Sequence, residues 1–132
     1  MRLVTFEIPG RPPTPNESNR TQASAYRWRL RREWRATAGS FASAAKLGWE
    51  RTHGLPWLPL RLATMRVTFI LPTKRRYDLD NLLATLKPEL DGIVDSGLLV
   101  DDSIYVLPHF YVATEYRKGV TSTVFDIAEI AT

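Results

Sequence analysis

The residues with the clearest chemical potential lie in one segment of this 132-residue chain, residues 74–81, which reads KRRYDLDN. From an extended segment, Asp78 and Asp80 would point the same way, with Cα atoms about 6.5–7 Å apart. Two converging carboxylates repel each other unless a cation lies between them, and Mg²⁺ prefers carboxylates together with waters and phosphate oxygens. The segment therefore predicts metal-assisted phosphodiester hydrolysis. The phosphates would be held by the three basic residues directly upstream, Lys74, Arg75 and Arg76.

A second acidic pair, Asp101 and Asp102, follows the next predicted helix and precedes a predicted strand. The helix and turn between the two acidic clusters can return the chain to the same edge of a sheet. One of the pair would then complete a three-carboxylate site. The alternative is an ordinary turn, because Asp-Asp-Ser is common turn chemistry.

Lys87 is the cation nearest to these acids in the following helix. It lies seven residues after Asp80, which is two helical turns and about 10 Å along the axis. A lysine that reaches back would contact the scissile phosphate or neutralise charge in the transition state. The alternatives are an ion pair with Asp91 one turn further on, or a solvated side chain.

Structural roles compete with the chemical ones for the other acids. Either Asp78 or Asp80 is a suitable N-cap for the helix that follows. Asp91 and Asp95 fall on the polar side of that helix, where a solvated face is expected.

Charge is divided unevenly along the chain. Residues 1–77 hold 15 Lys and Arg against 4 Asp and Glu, whereas residues 78–132 hold 3 against 10. This division favours a half that binds a polyanion and a half in which carboxylates gather. The alternative is a chance fluctuation of surface charge.

Arginines are concentrated on a predicted helix over residues 23–47. Arg27, Arg31 and Arg35 recur every four residues and form one stripe, with Trp28 beside it. Guanidinium groups pair with phosphates and an exposed indole stacks on bases, so the stripe indicates contact with DNA. A solvated basic surface is the alternative. Further DNA contacts are expected from the proline-rich loop GRPPTPNESNR, at Arg11, Asn16 and Arg20.

Several classes of protein are excluded by what the sequence lacks. Without cysteine there is no disulfide framework or thiolate metal site, and the two histidines have no ligand spacing. No phosphate-binding or dinucleotide-binding glycine motif is present, so no nucleotide cofactor is expected. The sequence has neither a signal-peptide pattern nor an apolar stretch of about 18 residues, and a cytoplasmic protein with no membrane contact is expected.

The pattern of apolar residues predicts an α+β fold with a mixed or antiparallel sheet of about four strands, covered by two main helices. Gly48 is the expected end of the first helix, and Pro88 predicts a kink or restart in the second. Lys118-Gly119 predicts a hairpin between the last two strands. Pro108 indicates that the first of these two strands is an edge strand or a bulged strand. The predicted elements are strands 3–8, 62–71, 104–114 and 120–130, and helices 23–47 and 81–95.

The stretch RRYDLDNLLATLKPELDGIVDSGLLVDDS, residues 75–103, resembles the signature of the RusA-type Holliday junction resolvases. The strand and proline-rich loop IPGRPPTPNESNR are also similar to that family. The resemblance implies a single RusA-like endonuclease domain over residues 1–132. It also implies a homodimer that depends on Mg²⁺, with Mn²⁺ as an alternative, and that acts on four-way DNA junctions in recombination and repair. Such proteins act in bacterial cells and are often encoded by phages or prophages.

The resemblance also implies which residues act. The metal ligands would be Asp78, Asp80 and Asp102, with Asp101 as the alternative to Asp102. In the best-known family pattern a lysine lies four residues after the second acid, but here that position is Ala84. Our hypothesis is that Lys87, one turn further along, takes its role. The competing functions are a non-catalytic basic DNA-binding protein and a nuclease of the same fold that cuts forks or flaps.

Overall fold

The computed structural model describes residues 1–13 and 24–131. The elements of this part are β1 (Leu3–Pro9), α1 (Ser24–His53), β2 (Ala63–Leu71), α2 (Leu79–Ala84), α3 (Leu86–Asp95), β3 (His109–Tyr116) and β4 (Ser122–Glu129). The four strands form one mixed sheet in the order β1–β4–β2–β3. The predicted α+β class is confirmed, since α1 covers the sheet together with α2 and α3, which are the two pieces of the second predicted helix. None of the described helices is long and apolar enough to cross a membrane.

The sheet is held to the helices by the apolar face that strand alternation predicts. In β1 every second residue is buried, beginning with Val4. Phe6 of β1 stacks on Phe125 of the neighbouring β4, with ring centroids 5.5 Å apart. Phe125 is completely buried, and burying such a ring stabilises the fold by roughly 2–3 kcal/mol. The fully buried apolar side chains on the two central strands are Ala63, Met65, Val67, Phe69, Ile70, Phe125 and Ile127.

The predicted hairpin between the last two strands is wrong. β4 pairs antiparallel with both β1 and β2, whereas β3 pairs parallel with the other side of β2. The connection around Lys118-Gly119 therefore crosses the end of β2 instead of making a two-stranded turn. Backbone N–H groups of Arg117 and Gly119 donate to the carbonyls of Leu71 and Pro72 as the chain crosses. Edge position for β3, which Pro108 indicated, is confirmed.

Helix α1 runs past Gly48, contrary to the sequence prediction, and ends at His53. A helical glycine costs only about 1 kcal/mol relative to alanine, so it does not stop a helix by itself. Gly54 is the true end, because its φ of +67° is the left-handed conformation that terminates helices and favours glycine. His53 lies beyond the predicted helix 23–47 but is the last residue of α1, with its ring stacked on Trp49.

The second predicted helix is divided in two at Thr85, which confirms the expected effect of Pro88. Pro88 has no N–H to donate to Ala84, the residue four positions before it, and its ring crowds that carbonyl. Thr85 is buried, and its hydroxyl donates to the carbonyl of Leu82 at 2.7 Å. The helix is thus interrupted at Thr85 and restarts as α3 at Leu86.

Helix α3 crosses α1 at unusually short range. A Cβ built on Gly92 would lie 2.2 Å from the carbonyl oxygen of Arg35 and 2.8 Å from the backbone nitrogen of Gly39. Only a glycine fits at this position of α3, because real side chains do not approach backbone atoms so closely. The crossing therefore fixes where α3 lies along the arginine-rich part of α1.

Substitution Gly92→Ala should destabilise the protein by at least about 2 kcal/mol, because the new methyl group must push the two helices apart. Gly48→Ala is the matched control, since a Cβ there meets nothing within 4 Å. It should be neutral or stabilise by up to about 1 kcal/mol. Urea unfolding of both variants checks this, and equal midpoints would refute the close crossing.

Candidate functional site

Lys87 lies between two carboxylates that come from different parts of the chain. Its Nζ is 3.0 Å from Asp91 Oδ1 and 3.7 Å from Asp102 Oδ2. Both acids are about one-quarter exposed at the side chain. The hydrogen bond to Asp91, helped by the charges of Asp91 and Asp102, raises the pKa of Lys87 above its ordinary value. Lys87 therefore does pair with Asp91, the alternative partner one helical turn away. It also lies near Asp102, an acid of the predicted site that is distant in the sequence.

The D-x-D motif does not lie wholly in an extended segment, contrary to the sequence prediction. Asp78 is extended, with ψ of 127°, but α2 begins at Leu79 and places Asp80 in its first turn. Asp80 accepts a hydrogen bond from the backbone N–H of Asn81 at 3.0 Å. The alternation that would point both carboxylates one way therefore fails at Asp80.

Asp78 occupies the N-cap position of α2 without acting as a cap. Its side chain makes no capping hydrogen bond and is about half exposed. The nearest cation is Arg76, whose Nη2 is 3.5 Å from Asp78 Oδ1. Asp78 therefore does not cap α2, which was the alternative role for this residue. Its carboxylate instead lies near Arg76.

Asp101 and Asp102, the acidic pair after α3, lie in different environments. Asp101 is exposed, and hydrogen bonds from the backbone N–H of Asp102 and the hydroxyl of Ser103 lower its pKa. This is the turn chemistry that was the alternative for the pair. Asp102 instead approaches Lys87. The geometry therefore favours Asp102 over Asp101 as the residue that belongs to the site.

The carboxylates of the predicted metal site are suitable metal ligands by type, but they do not lie close enough together to form a site. Within residues 1–13 and 24–131, no group of three or more Asp, Glu, Cys or His side chains is close enough to hold a metal ion. Oxygen donors are the ligands that Mg²⁺ prefers, so the residue types fit. The ligand set Asp78, Asp80 and Asp102 stays a prediction.

The arginine stripe of α1 borders a groove that reaches Lys87. We call this the Arg31 groove. Trp28 is 63% exposed in it, and the guanidinium of Arg32 lies 5.0 Å from the indole centroid. Arg35 binds Asp95 through two hydrogen bonds, which raises the pKa of the guanidinium and lowers that of the acid. Asp95 thus makes an ion pair with α1. The groove is lined by Trp28, Arg31, Arg32, Arg35, Lys87 and Asp91.

A second basic depression lies around Asp78, and we call it the Arg11 cleft. Arg75 stacks over the ring of Tyr77 at 4.2 Å, and Lys74 lies 4.8 Å from the ring centroid of Tyr116. Tyr116 is exposed, whereas Tyr77 is partly buried against the core. Cations paired with aromatic rings suit a phosphate backbone with stacked bases. The cleft is lined by Arg11, Arg75, Arg76, Tyr77, Asp78 and Asn81.

A third depression connects the proline-rich loop to both helices. Arg27 and Arg31 line it from α1, Pro12 and Pro13 from the loop, and Pro88 from α3. Four basic residues predicted to bind DNA are therefore close to α2 or α3, namely Arg11, Arg27, Arg31 and Arg35. Asn16 and Arg20, predicted for the same role, lie outside the described residues.

Glu89 is the notable site residue that sequence reasoning missed. It is completely buried in α3, and burial raises its pKa to about 8, although the charge of Arg11 acts in the opposite direction. A signal was available, because Glu89 falls between Leu86 and Ile93 on the predicted apolar face. A carboxyl there must either be neutral or have a buried partner.

No protein-family model matches the chain, and no curated protein matches its sequence. What the site does is therefore inferred from its residues and their geometry.

The buried carboxyl makes stability depend on pH in a direction that can be measured. The ordinary pKa of Glu89 is 4.5 and the folded value is about 8, so the folded state holds a proton that the unfolded state releases between these values. Stability should therefore fall as pH rises from 4.5 to 8, by at most about 1.4 kcal/mol per pH unit. In Glu89→Gln the side chain does not titrate, so the stability of this variant should lack this dependence on pH.

Urea unfolding at pH 5 and pH 8 measures the difference. Glu89→Gln should gain stability relative to the wild type at the higher pH, while Glu50→Gln, which alters an acid that accepts a backbone hydrogen bond from Trp57, should show no such gain. A constant offset between wild type and Glu89→Gln at both pH values would contradict a raised pKa.

Proposed function

We propose that the protein is a RusA-type resolvase, a Mg²⁺-dependent endonuclease that nicks four-way DNA junctions at two symmetric positions during recombination and repair. It would act as a homodimer in the cytoplasm of a bacterial cell and be encoded by the host or by a phage. Two symmetric nicks require two active sites, and a two-fold dimer supplies them.

The observation that carries this proposal is the approach of Lys87 to Asp102. These residues are 15 positions apart in the sequence, and the family resemblance implies a part in phosphodiester hydrolysis for Asp102 and, by our hypothesis, for Lys87. Their 3.7 Å separation supports a common site. Lys87 also lines the Arg31 groove, so the same lysine adjoins a surface suited to a polyanion.

Under this proposal, side chains of the protein bind the DNA phosphates and compensate the negative charge of the reacting phosphate. Arg31, with Arg75 and Arg76 of the Arg11 cleft, would bind backbone phosphates and orient the scissile bond. Lys87, held by Asp91 and Asp102, would stabilise the negative charge that develops on the phosphate.

Asp78, Asp80 and Asp102, with Asp101 as the alternative to Asp102, would hold Mg²⁺, on the strength of their donor chemistry. The metal would lower the pKa of a water molecule and screen the phosphate. Mn²⁺ accepts the same oxygen donors and is a second candidate.

Two competing functions make different predictions. In a non-catalytic DNA-binding protein, the acids would be turn and helix-end residues only, and the basic surface would suffice. The turn hydrogen bonds of Asp101 favour a DNA-binding protein of this kind. The Asp78 side chain does not, because it makes no capping hydrogen bond to α2. A nuclease that cuts forks or flaps would use the same residues on another branched substrate.

Asp102→Asn and Asp80→Asn should each lower cleavage of a labelled four-way junction by at least about 100-fold, because each removes a proposed metal ligand. Junction binding should persist, since the basic surface is intact. Removing the metal with EDTA should abolish wild-type cleavage. Gel assays of the junction and of linear duplex with the same sequence make these measurements.

The matched control is Asp126→Asn, which alters an acid of β4 that accepts a hydrogen bond from Thr5. It should cut the junction at the wild-type rate. Junction binding by the wild type without cleavage in Mg²⁺ or Mn²⁺ would refute the enzyme and leave the DNA-binding protein. Cleavage of forks or flaps alone would preserve the chemistry and change the substrate.

Arg31→Gln should weaken junction binding by about tenfold and lower the slope of log Kd against log salt by about 1, because one phosphate contact is lost. Arg51→Gln is the control, since Arg51 lies in the last turn of the same helix, about 30 Å from Arg31 along its axis. Fluorescence anisotropy at several salt concentrations distinguishes the two. Equal effects would mean that binding depends on net charge alone.

A further inference from the structure

Trp28 presents a large aromatic ring at the surface of α1. It is 63% exposed, whereas Trp34, six positions later on the same helix, packs against the core. The guanidinium of Arg32, one turn further along, lies over the Trp28 ring at 5.0 Å from its centroid. One face of the indole is therefore covered by a cation, and most of the remaining ring is accessible.

The Arg31 groove, which Trp28 lines, has the size and charge to hold one nucleobase. Its volume is about 260 Å³. Pockets for drug-sized ligands are larger, at about 300–1,000 Å³, so the groove suits a single planar ring system rather than a base pair. Its one carboxylate, Asp91, is paired with Lys87 at 3.0 Å. The cations that line the groove complement the phosphates on either side of a base, and they are Arg31, Arg32, Arg35 and Lys87.

A base held in this groove would lie beside the residues proposed for catalysis. Lys87 lines the groove, and its Nζ is 3.7 Å from Asp102 Oδ2. The base would therefore belong to one of the nucleotides nearest the scissile phosphate. Trp28 and the lysine proposed to stabilise the reacting phosphate share one cavity.

Stacking on an indole requires a base with an uncovered face. In continuous duplex each base is covered on both sides by its neighbours, and extruding one costs the free energy of stacking and pairing. This cost is smallest where a base is already unpaired or unstacked, as at the branch point of a junction. Arginine contacts to phosphates do not make this distinction, because linear and branched DNA carry the same backbone.

We propose that Trp28 is a specificity-determining residue, whose indole, with Arg32 behind it, stacks on one unpaired base of the DNA in the Arg31 groove. The protein would thereby distinguish a branch point from continuous duplex. The proposal rests on the proposed function for the identity of the substrate, and it adds which feature of that substrate is read and by which side chain.

Three variants test the proposal. Trp28→Leu keeps an apolar side chain without a ring, and Trp28→Phe keeps a smaller ring. Tyr26→Leu is the matched control, because Tyr26 is also an exposed aromatic residue of α1, with Arg29 over its ring at 5.2 Å. Two positions along a helix turn the side chain by about 200°, and Tyr26 does not line the groove.

Binding without divalent metal, followed by fluorescence anisotropy, compares a four-way junction with linear duplex of the same sequence. Trp28→Leu should weaken junction binding by about tenfold, the scale of one base–aromatic stack, and leave duplex binding unchanged. Trp28→Phe should lose less, and Tyr26→Leu should bind both DNAs as the wild type does. Equal weakening on both DNAs, or wild-type binding by Trp28→Leu, would overturn the proposal.

A junction with the fluorescent base 2-aminopurine at its branch point tests the stack directly. Stacking on an aromatic ring quenches this base, so the complex with Trp28→Leu should be brighter than the complexes with the wild type and Tyr26→Leu. Equal brightness in all three would overturn the stack. Sedimentation without DNA should give the same oligomeric state for Trp28→Leu and the wild type. A dimer lost in Trp28→Leu would assign the ring to an interface between copies and overturn the proposal.

These measurements use binding alone, so they separate the proposal from the proposed function. If the wild type binds the junction without cutting it, the nuclease fails, while a tenfold loss in Trp28→Leu on the junction alone still supports the base-binding groove. If Trp28→Leu binds and cuts the junction as the wild type does, the groove is refuted and the nuclease stands.

Discussion

The crossing of α3 over α1 at Gly92 is the constraint on which the candidate site depends. Backbone atoms of Arg35 and Gly39 lie where a side chain of residue 92 would have to be, so the two helices are in direct contact. This contact places one turn of α3 beside the arginine stripe of α1. Interiors are too densely packed for such a crossing to shift without cost. A small glycine thus sets the distance between the basic and acidic halves of the chain.

The consequence is electrostatic. The basic half contributes the stripe on α1, and the acidic half contributes Asp91, Asp95 and Asp102. Arg35 forms an ion pair with Asp95, and Lys87 lies near both Asp91 and Asp102. The carboxylates near the crossing are therefore paired with cations of the same chain. Arg31 and Arg32 are left to face the groove. The surface that a polyanion would meet is therefore more positive than the net charge of +4 suggests.

Local features of the fold were predictable, and the long-range pairing was not. Alternation identified the buried face of β1 and β2, because one side of a strand faces the core regardless of which strand is its neighbour. Strand order does not follow from alternation. A five-residue connection suits a hairpin as well as a crossing over the end of β2. The strand pairing, together with the backbone hydrogen bonds to Leu71 and Pro72, distinguishes them.

The site was predictable to a similar extent. Residue types and spacing made Lys87 and one member of the Asp101–Asp102 pair candidates, and the resemblance selected Asp102, which the structure places near Lys87. The extended D-x-D failed because Leu79 and Asp80 are recruited into the first turn of α2. Glu89 was missed because helical periodicity identifies which face of the helix is buried but does not predict that a carboxyl on that face stays buried.

Under the proposed function, the acids differ in how far they are prepared for catalysis. Asp102 is partly buried and lies near a cation, so little rearrangement is needed before it acts. Asp78 and Asp80 are exposed, and the start of α2 at Leu79 breaks the alternation that would point their carboxylates the same way. Fixed groups contribute most to transition-state stabilisation, because they need no reorganisation during the reaction. The Lys87–Asp102 pair would then be the fixed part of the site, and the D-x-D motif the part that adjusts when metal and DNA bind.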